Sequence, residues 1–144
     1  MVHKLSITNN IGEMAQLEGF IDGVAEDFGI APDVAFQLNL ALDEALANSV
    51  NYAYDDGVTG VIELEASVRD GAIVFRLIDE GRPFDPTKGG EDVDTTSGAE
   101  ERAIGGLGIF LIKQMMDKVS YSREGNRNVL TMIKSPLATE GGIQ

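Results

Sequence analysis

The chain has 144 residues, and its 24 acidic against 11 basic side chains give a formal net charge of -13. That balance excludes nucleic acid and anionic membrane as partners, because neither would find a basic stripe to bind. With no cysteine and a single histidine, His3, disulfides, thiolate chemistry and histidine-based metal centres are excluded as well.

Hydrophobic residues at 43% and charged residues at 24% suit one globular domain with its own core. No apolar run reaches the roughly 20 residues of a membrane span, and the N-terminus lacks the apolar stretch of a signal peptide. A cytoplasmic protein is expected. The negative charge leaves ATP open as a ligand, since a bound cation and backbone N–H groups can carry phosphate charge.

Residues 2–8 partly alternate and suit an edge strand. Asn10 with Glu13 three residues on forms a capping box in which Asn replaces Ser or Thr. Ile11, Met14, Leu17, Ile21, Val24 and Phe28 then recur at intervals of three and four, which predicts an amphipathic helix ended by Gly29. Pro32 suits the first turn of a second helix, running to about Ala53. Val34, Leu38, Leu42, Ala45, Leu46 and Val50 form its buried arc. Asp55-Asp56-Gly57 breaks it.

Thr59 to Val68 alternates, Asp70-Gly71 signals a two-residue hairpin, and Ala72 to Ile78 returns. Asp79 to Pro86, DEGRPFDP, follows. Thr87 to Arg102 is polar and acidic, and so long a stretch without periodicity suggests a functional lid or disorder. Gly105-Gly106-Leu107-Gly108 opens a third helix, Leu107 to about Asp117. Val119 to Arg123 and Asn128 to Lys134 form a second hairpin about Glu124-Gly125-Asn126. The expected fold is α+β: a two-layer sandwich with a mixed, mostly antiparallel sheet and helices on one face. One domain is expected over residues 1–136, with a flexible tail over 137–144.

Glu44 and Asn48 stack one turn apart on the second helix, with Gln37 and Asn51 on the same stripe. A carboxylate and a carboxamide so placed can set a base beside a magnesium ligand. Alone, such a pair is more often a solvated helix face. Here the helix is otherwise apolar, and Asn, a poor helix former, stands at both 48 and 51. Asp79 ends a strand, where it could accept a hydrogen bond from an exocyclic amine such as adenine's. Gly81 would let the base come close. The same two residues also suit a plain strand-to-turn exit, and Phe84 suits packing beneath the loop. Gly105, Gly106 and Gly108 at a helix start can form an anion site. They match neither the P-loop nor the dinucleotide fingerprint, and a flexible loop-to-helix junction would look the same. Arg82, Lys88, Arg102 and Lys113 read as surface charges within possible reach of phosphates.

These three blocks, in this order, resemble the N, G1 and G2 boxes of the GHKL ATPase superfamily over about Gln37 to Asp117. DEGRPFDP and GGLGIFLIKQMMD are similar to the wording of the bacterial anti-sigma-factor serine kinases. The resemblance implies a Bergerat-type fold binding ATP and Mg2+. It implies Glu44 as catalytic acid/base, Asn48 as magnesium ligand, and Asp79 with Gly81 as readers of adenine. Gly105, Gly106 and Gly108 would lie beneath the phosphates. Asn51, Pro83, Phe84 and Leu107 complete the implied ATP-binding set, and Thr87 to Arg102 corresponds to the ATP lid. Two positions depart from the pattern: Pro83 stands where many relatives have a second glycine, and Tyr52 where a histidine often follows.

The function implied is a serine/threonine kinase that phosphorylates a small antagonist protein and binds a sigma factor or another regulator. The subgroup often forms homodimers. The alternative is a nucleotide-gated binding module without kinase activity. The catalytic half of a sensor histidine kinase would need a helical phosphoacceptor segment, for which this chain has no room.

Overall fold

In a computed structural model, the structure describes residues 2–88 and 106–135. The elements in chain order are β1 (Val2–Thr8), a 3-10 turn (Ile11–Ala15), α1 (Gln16–Phe28) and α2 (Pro32–Tyr52). Then come β2 (Val61–Arg69), β3 (Ala72–Asp79), a second 3-10 turn (Pro86–Lys88), α3 (Gly106–Met115), β4 (Lys118–Glu124) and β5 (Arg127–Lys134).

Turn chemistry builds the sheet. Asp70 and Gly71 both take positive φ, 54° and 81°, so β2 and β3 meet through a type I′ turn whose twist matches the strands. Gly125, at φ 66°, opens the two-residue turn between β4 and β5. The strand order is β1-β2-β3-β5-β4. All four pairings are antiparallel, so the sheet is not mixed. The connection through α1 and α2 leads from β1 to its antiparallel neighbour β2. The one through α3 leads from β3 to β4, which runs parallel to β3 but is separated from it by β5, so no parallel pair forms.

The predicted first helix differs at its start. Its opening turn is 3-10, and Asn10 caps it by accepting from the Gly12 N–H at 2.9 Å. Glu13 turns back to β1 instead of closing a capping box: it accepts from the Thr8 N–H at 2.9 Å and the Thr8 hydroxyl at 2.7 Å. Those bonds, the backbone one foremost, hold the Glu13 carboxyl below its ordinary range. The far end follows expectation, with Gly29 at φ 69° and the Ile30 N–H donating back to Ala25 O.

The core lies between the helices and one face of the sheet. Leu38, Leu42 and Leu46 of α2, Leu17 and Val24 of α1, and Ile109 and Ile112 of α3 pack on Ile62, Leu64, Phe75, Leu77 and Met132. Alternation puts Glu63 and Glu65 on the opposite face, where Lys4, Glu65, Arg76 and Glu124 line up at 3.4–3.9 Å. These exposed pairs contribute little, under about 1 kcal/mol each.

Tyr54 fixes the end of α2 to the sheet. Its hydroxyl donates to Val61 O and accepts from the Glu80 N–H, both at 2.8 Å. Burial pushes its phenol above the usual tyrosine range, so the proton needed for the first bond is retained. A Cβ at Gly60 would collide with the Tyr54 ring, which explains the glycine there.

Among the described residues, no helix is long and apolar enough to cross a membrane. On the exposed side of α1, Gly19 has open space where a Cβ would sit. Gly19→Ala should therefore raise stability by about 0.5–1 kcal/mol through helix propensity alone. A urea unfolding midpoint that stays level or falls would contradict this.

Candidate functional site

The site starts from a buried charge. Ile73, Phe75, Leu77 and Asp79 share the core-facing register of β3, so the strand pattern carries a carboxylate to the edge of the core, where it is 5% exposed. No cation pairs with it among the described residues. Its Oδ1 accepts from the Gly81 N–H at 2.9 Å and from Asn128 Nδ2 at 2.8 Å. Among the described residues, its Oδ2 accepts only from the Ser49 hydroxyl, at 3.1 Å. A carboxylate oxygen has about two lone-pair sites, so Oδ2 keeps one for a further donor.

Asn128 is the residue that the sequence analysis passed over. It sits opposite Asp79 in the β3–β5 register and is 5% exposed. Its Nδ2 also donates to Arg82 O at 2.7 Å. Its Oδ1 accepts from Phe84 N at 3.3 Å, from Arg123 Nη1 at 3.2 Å and from the Tyr121 hydroxyl. One carboxamide thus ties β5, β4 and the 81–84 loop to Asp79. A signal was present: Asn128, Leu130 and Met132 alternate, and a polar residue at the inward position of a buried strand needs partners.

Gly81 is held just as closely. A Cβ there would run into the Ala53 carbonyl at the end of α2. That carbonyl accepts from the Arg82 N–H at 2.9 Å, and Arg123 Nη1 donates to Gly81 O at 2.8 Å. The glycine is therefore required by the approach of the loop to the helix.

These elements surround a narrow cavity of about 20 Å³, room for roughly one water molecule and well below the size of a ligand pocket. Ala45, Asn48 and Ser49 of α2 line one side, Leu77 and Asp79 the floor, and Phe84, Pro86, Tyr121, Asn128 and Leu130 the rest. Tyr52 tilts against Phe84 with ring centroids 6.4 Å apart. Asn48 Nδ2 is buried and has no hydrogen-bond partner among the described residues. An unpaired buried amide costs about 1–3 kcal/mol, and half a turn of the carboxamide would present its oxygen at the same point.

Glu44 is half-buried one turn before Asn48 and does not line the cavity. Asn51 and Pro83 are exposed and lie outside the lining. Gly106, Leu107 and Gly108 form the first turn of α3. Gly105 lies outside the described residues, as does the expected lid apart from Thr87 and Lys88. Those two belong to the second 3-10 turn, and Thr87 O accepts from Lys113 Nζ at 3.0 Å. No cluster of His, Cys, Asp and Glu able to hold a metal occurs among the described residues. A cation here would need a neutral ligand such as Asn48, with ligand oxygens and water completing its shell.

Asn128→Ala removes one of the three donors to Asp79 and the partners of Arg82 O and Phe84 N, and should lower unfolding free energy by about 3 kcal/mol. Tyr121→Phe removes one donor and should cost about 1 kcal/mol. Equal losses in urea denaturation would mean that Asn128 is not the hub of this network.

A family model described as the histidine kinase-like ATPase domain matches residues 7–134. The serine-protein kinase RsbW of Listeria monocytogenes serovar 1/2a is 33% identical over 115 residues, covering 77% of this chain and 73% of the relative. RsbW of Oceanobacillus iheyensis is 29% identical over 123 residues, covering 83% and 77%. Among solved structures, the histidine kinase domain from the Erythrobacter litoralis EL346 blue-light activated histidine kinase has a TM-score of 0.54 at 19% identity. The match covers 86% of this chain and 60% of that one, and shows a shared fold. The chain therefore belongs to the histidine kinase-like ATPase domain family of the GHKL superfamily, alongside the RsbW serine-protein kinases.

Proposed function

We propose that this protein is an ATP- and Mg2+-dependent serine/threonine protein kinase of a cytoplasmic partner-switching system. It would bind a sigma factor or similar regulator and phosphorylate a small antagonist protein. The observation that carries this assignment is the pairing of Asn48 with Asp79 in one cavity. The first has a buried amide with no partner, and the second has a carboxylate oxygen with capacity left.

Each group suits one part of the nucleotide. Asp79 Oδ2 would accept a hydrogen bond from the exocyclic amine of adenine, and Gly81 would let the base approach the adjoining backbone. Asn48 would hold Mg2+ through its carboxamide oxygen. Gly106, Leu107 and Gly108, at the start of α3, would offer backbone N–H groups to the phosphates, with Gly105 next to them in sequence. Phe84, which lines the cavity, would border the base, and Pro83 and Asn51 would take part only from outside the lining. ATP, when bound, supplies the transferable phosphoryl group. Glu44, one turn from Asn48, takes the proton of the attacking serine or threonine hydroxyl. The serine-protein kinase named among the relatives supports transfer to a hydroxyl side chain.

Asn48→Ala should weaken magnesium-dependent ATP binding by about tenfold or more, read by calorimetry. Glu44→Ala should bind ATP within about threefold of the parent and lose about 100-fold or more in transfer to a candidate antagonist. Unchanged affinity in Asn48→Ala would overturn the assignment of the cavity. A parent protein that binds ATP but transfers nothing to any antagonist encoded nearby would favour a nucleotide-gated binding module.

A further inference from the structure

A second concavity lies between α1 and α2, at the end of α2 away from Asp79. It measures about 470 Å³. Phe36, on its wall, stands 12 residues before Asn48, which is about 18 Å along a helix. Nothing in the nucleotide assignment uses it.

Its chemistry is one-sided. Glu18, Asp22 and Glu26 line the α1 side at four-residue intervals, and all three are exposed. None makes an ion pair among the described residues, and no basic residue lines the groove. Like charges four apart destabilise the helix that carries them. Glu26 also sits in the last turn of α1, which has no basic residue to offset the negative end of the helix dipole. Phe36 is 65% exposed. Asn39 Oδ1, on the same wall, is buried and accepts no hydrogen bond from the described residues.

We infer that this groove is a docking site for a basic amphipathic helix of a partner protein. A helix laid between two packed helices presents an apolar stripe to Phe36 and the groove floor. Lysine or arginine residues four apart on its flank match the spacing of Glu18, Asp22 and Glu26, about 6 Å per step. A polar side chain on the opposite flank supplies the donor that Asn39 lacks. A second copy of this chain fits badly, because a two-fold contact through the groove would set the three carboxylates against themselves. The chain's own C-terminal tail, residues 136–144, contains no lysine or arginine.

The test uses the full chain and a labelled synthetic helix of about 18 residues, with a leucine stripe flanked by lysines. A twin peptide carries glutamates in place of the lysines. Fluorescence anisotropy should show salt-sensitive binding of the basic peptide only. Affinity should fall about tenfold or more in Asp22→Lys/Glu26→Lys and again in Phe36→Asp. Asp56→Lys/Glu124→Lys makes the same charge change elsewhere and should stay within about twofold. Thermal melts and ATP binding of each variant check the fold. Three results would overturn the proposal: equal loss in both double variants, which means bulk charge attraction; no effect of Phe36→Asp; or a change of sedimenting mass in the groove variants, which means that the face joins two copies of this chain.

Discussion

A carboxylate buried with no cation beside it among the described residues must be satisfied by neutral donors, and Asp79 recruits them from three directions. Ser49 comes from α2, the Gly81 N–H from the following loop, and Asn128 from β5. Each bond holds its own element in place. The charge therefore acts as a fixed point where the helix layer, the sheet and the loop meet. Desolvating it costs several kcal/mol unless every partner is present. The surrounding geometry is accordingly close: Gly81 lies against Ala53, and Arg123 closes over the loop carbonyl.

The same arrangement leaves a polar deficit facing one cavity. Asp79 keeps acceptor capacity on Oδ2, and Asn48 keeps an unpaired amide. Both lie on elements held by the main core, α2 through Leu42 and Leu46 and β3 through Phe75 and Leu77. Unsatisfied groups on rigid elements are prepaid binding energy, since a ligand that pairs them need not order them first. Asn39 repeats the pattern on the other half of α2, beside a row of unpaired carboxylates. One helix thus carries two polar deficits, at its two ends and toward different neighbours.

Much of the fold was legible because local signals agreed with one another. Alternation in residues 61–69 and 72–79, with Asp70-Gly71 between them, leaves few ways to pair the strands. Gly29 and Pro32 mark one helix end and the next start. The errors fell where several local solutions are close in energy. Glu13 could close a capping box or reach back to Thr8, and only the placement of β1 beside the first turn decides for Thr8. Whether the sheet holds a parallel pair is likewise invisible locally, because it depends on where the long connections return the chain.

The candidate site divides along the same line. Sequence alone determined the elements that carry Glu44, Asn48, Asp79 and the glycines, because helix and strand periods place residues on faces whatever their distant neighbours are. Tertiary structure decided which of these residues share a cavity. Asn48, Asp79 and Phe84 line it, while Glu44 and Asn51 do not. It also introduced Ser49, Tyr121 and Asn128, whose roles depend on strands and helices far apart in the chain. A hydrogen bond between Asn128 and Asp79 spans 49 residues. No local pattern encodes it, since it exists only once β5 has paired with β3 in the register that sets the two side by side.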